Sequence, residues 1–380
     1  MPEKAYIALE DGTVYEGEQF GASGVHVGEV VFNTSMMGYQ EIFTDPSYAR
    51  QIVTMTYPQI GNYGVNPDDV ESPHPWIDGV IVKEYSPYPS NYRMTGSLGD
   101  WLREHGVVGI SGIDTRMLTK KLRVNGSMKG CIATGDQDPD ELVKRARDWQ
   151  GMTGLDCVNI VSRKEPQVWT DGVHDLAGSI VSKSALKYHV VAFDFGFKES
   201  ILRLLVHHGA KVTILPASST AEEVLEYKPD GIFLANGPGD PEAVTYAIDT
   251  IRKLLIVSDK TGLPIFGICL GVQLMAWAFG GKTFKLKFGH RGVNQPVMNH
   301  DTGKVEITAQ NHGFAIDPSS LPNDLRVTHT NLNDRTVEGL QHTRLPIFGV
   351  QYHPEASSGP HDARYLFRRF DKFMETYLKS

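Results

Sequence analysis

Three short stretches of this chain hold residue types that together could attack an amide. The segment Gly267-Ile-Cys-Leu-Gly271 sets a thiol between two glycines. The apolar run Pro264–Ile268 before it reads as a strand, and a helical pattern through Leu274 and Ala278 follows it. A strand, a Gly-x-Cys-x-Gly turn and a helix make the cysteine form of a nucleophile elbow. Such a turn holds Cys269 in a strained conformation at a helix N-terminus, where the dipole favours the thiolate. The N–H of Leu270, next along, is aimed at an oxyanion. Taken alone, the pentapeptide fits a buried structural cysteine equally well, as most free cysteines are. Cys131 and Cys157, the other two, have no such setting and read as structural.

A thiol nucleophile needs a proton acceptor and a group to hold that acceptor. The chain has 14 histidines, so the mere presence of one decides nothing. One stands apart, in Ile347-Phe-Gly-Val-Gln-Tyr-His-Pro-Glu355. A strand is expected to run directly into His353. Glu355, two residues on in extended chain, then faces the same way as His353, and Pro354 ends the pairing. A third stretch, Ala235-Asn-Gly-Pro-Gly-Asp240, follows an apolar strand and lets backbone N–H groups approach a bound atom, Gly237 first among them. In isolation, His-Pro-Glu is also a common surface turn, and Asn-Gly-Pro-Gly an ordinary β-to-α turn. The order Cys, His, Glu fits a hydrolytic triad defined by roles rather than positions.

The elements that must position these groups are regular in the second half. Strands are expected at His189–Phe195, Val212–Leu215, Gly231–Ala235 and Pro264–Ile268, with helices at Ser200–His208, Ala221–Tyr227 and Pro241–Lys260. Such alternation implies a mostly parallel sheet covered on both faces, with ligands at the carboxyl ends of its strands. The first half mixes short strands (Tyr6–Leu9, Glu29–Phe32, Gln51–Met55, Val80–Val82, Val107–Ile110) with helices at Thr115–Leu122 and Pro139–Trp149. The pattern loosens from about Gln167 to Lys187. The expected fold is therefore α/β, in two domains: a mixed α/β domain over 1–150, a linker region over 151–187 and the parallel-sheet domain over 188–380.

Composition narrows the partners. Of the 380 residues, 41% are hydrophobic and 22% charged, with a net charge of -8. That balance suits a globular protein and argues against general nucleic-acid binding. Three cysteines make a poor disulfide framework and suit a reducing compartment. With no apolar leader and no run of about 20 apolar residues, the chain is expected to be cytoplasmic, without a membrane partner. No Gly-x-x-x-x-Gly-Lys-Ser/Thr loop occurs, so no P-loop nucleotide site is visible.

The three motifs, in this order, resemble the class I (triad-type) glutamine amidotransferase domain. The first half resembles the small subunit of carbamoyl phosphate synthetase, on Gly28-Glu-Val-Val-Phe-Asn-Thr-Ser35, Gly38-Tyr-Gln-Glu41, Thr44-Asp-Pro-Ser-Tyr48, Gly61-Asn62 and Ile113-Asp-Thr-Arg116. Lys287-Phe-Gly-His290 and Ala309-Gln-Asn-His-Gly-Phe314 extend that likeness into the second half. The resemblance implies that Cys269 is the nucleophile, His353 the general base and acid, and Glu355 its orienter. It implies glutamine contacts at Ser47, Gly237, Gly239, Leu270, Gln273, Asn311, Gly313 and Phe314. Ser47, from the first half, would set the glutamine site near the domain interface. Read without the family, Ser47 is a hydroxyl capping a turn and Gln273 an exposed first-turn residue.

The resemblance also implies partners. L-Glutamine is the substrate, and a large subunit, joined in a heterodimer or a higher assembly of heterodimers, receives the ammonia. That subunit would use ATP, bicarbonate and Mg to make carbamoyl phosphate for arginine and pyrimidine synthesis, leaving this chain with no cofactor and no metal. The N-terminal domain would be the one that contacts it. Three departures from the family pattern stand near the motifs, Val272, Val293 and Gln295, and none is a triad member. Two other readings compete: a stand-alone amidase or γ-glutamyl hydrolase, which leaves the first domain unexplained, and a non-catalytic subunit, which would be expected to have lost part of the triad.

Overall fold

The computed structural model describes residues 3–173 and 185–379. The chain divides into two compact units, Met1–Leu155 with Lys287–Gly292, and Asp156–Leu286 with Val293–Ser380. In the stretch read as a linker, Val158–Val161 form a helical turn and Gln167–Trp169 a strand paired with the second unit's sheet. Of the expected linker, residues 174–184 lie outside the described residues.

The first unit is built on a closed barrel of seven strands: β1 (Lys4–Leu9), β2 (Val14–Gly21), β3 (Val25–Asn33), β4 (Gln51–Met55), β5 (Gly79–Ile81), β6 (Val108–Ser111) and β7 (Met128–Thr134). Their order around the barrel is β1-β2-β6-β5-β4-β3-β7. Ile7, Val30, Ile52, Ile81, Ile110 and Ile132, all fully buried, belong to one core cluster there. Closure removes the edge strands that an open sheet would expose. The helix Thr115–Asn125 starts where the Asp114 carboxylate accepts from the N–H of Met117, and stops at Gly126 in a positive-φ conformation (φ 103°).

The second unit carries a ten-stranded sheet. Its strands are β8 (Gln167–Trp169), β9 (Tyr188–Asp194), β10 (Ala210–Pro216), β11 (Gly231–Leu234), β12 (Ile265–Ile268), β13 (Thr283–Asn299), β14 (Lys304–Ile316), β15 (Leu325–Asn331), β16 (Val337–His342) and β17 (Ile347–Val350). They lie in the order β8-β10-β9-β11-β12-β17-β16-β15-β13-β14. The centre, β10-β9-β11-β12-β17, is parallel, as the alternating pattern predicts. Sequence periodicity passed over β13 to β16, which extend the sheet beyond β17; β15 pairs antiparallel with both β13 and β16, and β16 with β17. Their faces carry polar residues that mask the apolar alternation. The expected helix Pro241–Lys260 is a 3-10 turn (Pro241–Ala243), capped by Asp240, followed by a helix over Thr245–Thr261.

Helices cover both faces of the parallel centre. Phe266 on β12 stacks on Phe348 of β17 at 4.4 Å and meets Phe233, Phe367 and Phe370 edge-on or tilted. Phe367 and Phe370 belong to the helix Tyr365–Tyr377. The next residue, Gly267, points the other way, and a Cβ there would meet Gly271 and Val272 of the helix Leu270–Ala278. Phe266 thus anchors the strand that ends at Cys269. Phe266→Ala is expected to cost about 3–5 kcal/mol, read as a lower urea midpoint for unfolding. A loss under about 1 kcal/mol would show that the aromatic cluster is not what fixes β12.

Candidate active site

Cys269 sits where β12 ends and the helix Leu270–Ala278 begins, at φ 53° and ψ -107°. Positive φ in a non-glycine residue is a strained state that surrounding structure must hold. Two features hold it. The Cys269 N–H donates to the carbonyl of Val350 at 2.8 Å, continuing the parallel ladder past its last pair. Gly271 lies so close to β11 that a Cβ would stand 2.2 Å from the Leu234 carbonyl oxygen. The thiol is 2% exposed. Its Sγ lies 3.7 Å from the Asn311 carbonyl, to which it donates, and accepts from Gln351 Nε2 at 3.6 Å.

The expected approach of His353 needs one correction. β17 stops at Val350 and does not run directly into the histidine. Gln351 turns its N–H to the Glu338 carbonyl, and His353 donates its own N–H to the Ala309 carbonyl of β14 at 2.8 Å. The pairing partner changes strand, so the ladder of β17 breaks while the chain still passes beside Cys269. His353 Nδ1 lies 2.7 Å from Glu355 Oε1. That contact assigns the Nδ1 proton. Nε2 is buried with no hydrogen-bond partner, and Cys269 is one of the groups that raise the histidine's hold on its proton. Burial works to remove the histidine's extra proton, but the Glu355 carboxylate and the Cys269 thiol outweigh it, and His353 holds a proton well above the ordinary range.

Glu355 is completely buried. Its cation is a residue that sequence reasoning missed. Lys198 Nζ lies 3.0 Å from Glu355 Oε1 and 2.6 Å from the Ala356 carbonyl, and the lysine is itself buried. Burial favours the neutral acid; the Lys198 ammonium, then His353, outweigh it and hold Glu355 below the usual carboxylate range. Lys198 follows β9, and its turn is shaped by Asp194, whose Oδ1 accepts from the N–H groups of Gly196 and Phe197. The Asp194 carboxylate is held in turn by Arg163 Nε at 2.7 Å, from the stretch read as a linker. The Asn236 side chain accepts from the Lys198 N–H at 3.2 Å, tying this turn to the glycine loop. The signal available in the sequence was position alone, a lysine just past the carboxyl end of a buried parallel strand.

The glycine loop comes close to the elbow. A Cβ on Gly237 would stand 2.1 Å from the Phe195 carbonyl oxygen and 2.9 Å from Leu270 Cδ2, so only glycine fits. Gly239 has φ 94°. β14 passes over the other side: Asn311 offers its carbonyl to the thiol, and the Phe314 carbonyl accepts from Gln273 Nε2 at 2.8 Å. Gly313 lies on the same strand. Gln273, read on its own as an exposed first-turn residue, is 3% exposed. Ser47 stands in the first unit, buried on the 3-10 turn Pro46–Tyr48, which Asp45 rather than Ser47 caps.

The departures from the family pattern have local partners. Val272 is fully buried, and its side chain fills the space over Gly349 of β17, where a Cβ would stand 2.7 Å from Val272 Cγ2. Val293 packs beside Gly359. Gln295 accepts from Asn333 Nδ2 at 2.9 Å.

Comparison with known proteins agrees with this geometry. Residues 191–373 match the family model described as Glutamine amidotransferase class-I, and residues 7–132 match Carbamoyl-phosphate synthase small chain, CPSase domain. Proteins named carbamoyl phosphate synthase small chain are similar over nearly the whole length. One from Syntrophotalea carbinolica is 57% identical, over 99% of this chain and 99% of that protein. One from Aquifex aeolicus is 52% identical, over 99% and 100%. One from Escherichia coli is 50% identical, over 100% of both. With a class I amidotransferase domain built around Cys269 and a first half that matches the synthase domain model, the chain belongs to the carbamoyl phosphate synthase small chain family.

Proposed function

We propose that this chain hydrolyses glutamine through Cys269, His353 and Glu355 and supplies the ammonia to a large synthetase subunit. The observation that carries the reading is the buried series Lys198–Glu355–His353, whose histidine is held protonated by Glu355 and Cys269 together. The thiolate of Cys269 attacks the side-chain amide carbon of glutamine. The oxyanion is met by the N–H of Leu270, at the free end of its helix, and by the Gly237 loop. His353 gives its Nε2 proton to the amide nitrogen as the C–N bond breaks, and ammonia leaves a γ-glutamyl thioester. Water then attacks the thioester, its proton passes to His353, and the C–S bond breaks to release glutamate and restore the thiolate.

The substrate contacts are proposals of the same kind: Ser47, Gly237, Gly239, Leu270, Gln273, Asn311, Gly313 and Phe314. For Gln273 the hydrogen bonds narrow the role. Its Nε2 donates to Phe314 and to Gln351 Oε1, so what it presents to a substrate is its oxygen, suited to an ammonium group. The partner is proposed to join as a heterodimer through the first unit and to use ATP, bicarbonate and Mg to make carbamoyl phosphate. No helix among the described residues is long and apolar enough to cross a membrane, and the proposed location is the cytoplasm.

Two experiments test this. Cys269→Ser or Cys269→Ala, in complex with the large subunit, is expected to abolish glutamine-dependent carbamoyl phosphate synthesis while ammonia still supports it. Loss of both activities would sink the division of labour. Lys198→Met removes the cation that holds Glu355 ionised. Because the folded Glu355 pKa is depressed, the contribution of this pair is present above the ordinary carboxylate pKa and lost as pH falls through the lowered folded value. Without Lys198 that value rises, so the acid limb of the glutaminase pH profile is expected to move to higher pH, with turnover down by roughly tenfold or more. An unmoved acid limb would assign Lys198 a packing role only.

A further inference from the structure

Resting on the proposed nucleophilic role of Cys269, we infer that Gln351 is a further catalytic residue: its carboxamide N–H donates to the Cys269 sulfur and stabilises the thiolate, in an orientation that Gln273 dictates. Gln351 is completely buried between β17 and His353, and Nε2 lies 3.6 Å from Cys269 Sγ.

The direction of the amide follows from counting hydrogens. A carboxamide nitrogen carries two, and its oxygen only accepts. Gln273 Nε2 gives one hydrogen to the Phe314 carbonyl at 2.8 Å and the other to Gln351 Oε1 at 2.9 Å. Flipping Gln273 would set its oxygen against the Phe314 oxygen, so the backbone of β14 fixes it. Gln273 in turn fixes Gln351, whose oxygen faces the Gln273 donor and whose NH2 therefore faces the sulfur. The Gln351 backbone is itself pinned, its N–H donating to the Glu338 carbonyl at 2.9 Å.

The two contacts of the sulfur respond oppositely to ionisation. The neutral thiol donates to the Asn311 carbonyl. Once the proton leaves, that oxygen faces an anion and the contact turns unfavourable. The Gln351 contact becomes charge-assisted and strengthens. A donor that is stronger on the ionised sulfur favours the attacking species over the resting thiol. It strengthens again as the C–S bond of the thioester breaks and negative charge returns to sulfur. A residue that merely filled space beside the elbow would not distinguish these states.

The test uses the full chain and iodoacetamide as the thiol probe, following alkylation of Cys269 against pH by peptide mass spectrometry. Gln351→Met keeps the volume and removes the donor. It is expected to lower the thiolate fraction at neutral pH about tenfold, moving the alkylation midpoint up by about one pH unit, and to lower kcat for glutamine with little change in KM. Gln273→Met keeps Gln351 but removes the donor that fixes its amide, and is expected to raise the midpoint in the same direction by a smaller amount. The urea midpoint of each variant reports whether it is folded. If Gln351→Met does not fold, Gln273→Met carries the test alone. Normal alkylation with an unmoved midpoint in a folded variant would overturn the role of Gln351 and leave the nucleophile intact. A Cys269 that resists alkylation in the parent chain at every pH would overturn both.

Discussion

A carboxylate with no access to water must be kept charged, and the site depends on that. Glu355 is fully buried, and an isolated anion in that position would take up a proton and lose its hold on His353. Lys198 prevents this from one side and His353 from the other, both on Oε1. The desolvation of such a group is costly, and a paired cation offsets it only when the geometry is close. Removing either partner therefore does more than delete a hydrogen bond. It leaves a buried charge with one of these two partners gone.

The sheet supplies that geometry. Lys198 follows β9, the Gly237 loop follows β11, Cys269 follows β12 and His353 follows β17. Parallel strands in register all end on one side, so four separate loops bring Lys198, the Gly237 loop, the Cys269 thiol and His353, the proposed machinery, to one side of the sheet. Close approach is enforced by glycine at Gly237 and Gly271, where any side chain would strike a backbone carbonyl. Val272 belongs to the same economy of space. Facing Gly349 of the neighbouring strand, it locks the elbow helix against β17 with an apolar contact.

Much of this was legible in the chain itself. The strand-turn-helix around Cys269 is local, and its glycines and apolar run announce it. The pair His353 and Glu355 lies within three residues, so spacing alone placed them together. Asn311 and Phe314 were reached only through the family likeness, because their contacts to the elbow are made by backbone carbonyls, which leave no mark on side-chain type. Lys198 and Gln351 were not read. A lysine after a strand looks like a solvated one, and a glutamine beside a catalytic motif looks like spacing. Both acquire a role only when chain segments far apart in sequence meet. The barrel of the first unit was hidden for the same reason: five of its strands were read, β2 and β7 were not, and closure rests on pairings such as β3 with β7 and β3 with β4.

The strand order also sets a schedule for the growing polypeptide. Cys269 and its elbow leave the ribosome well before β17, and without β17 there is no Val350 carbonyl to hold the strained cysteine, no His353 and no Glu355. Lys198 emerges earlier still and waits for its anion. Between residues 269 and 353 a nascent chain therefore carries the thiol but no histidine beside it. The site as a whole is complete only when nearly the whole second unit has been translated.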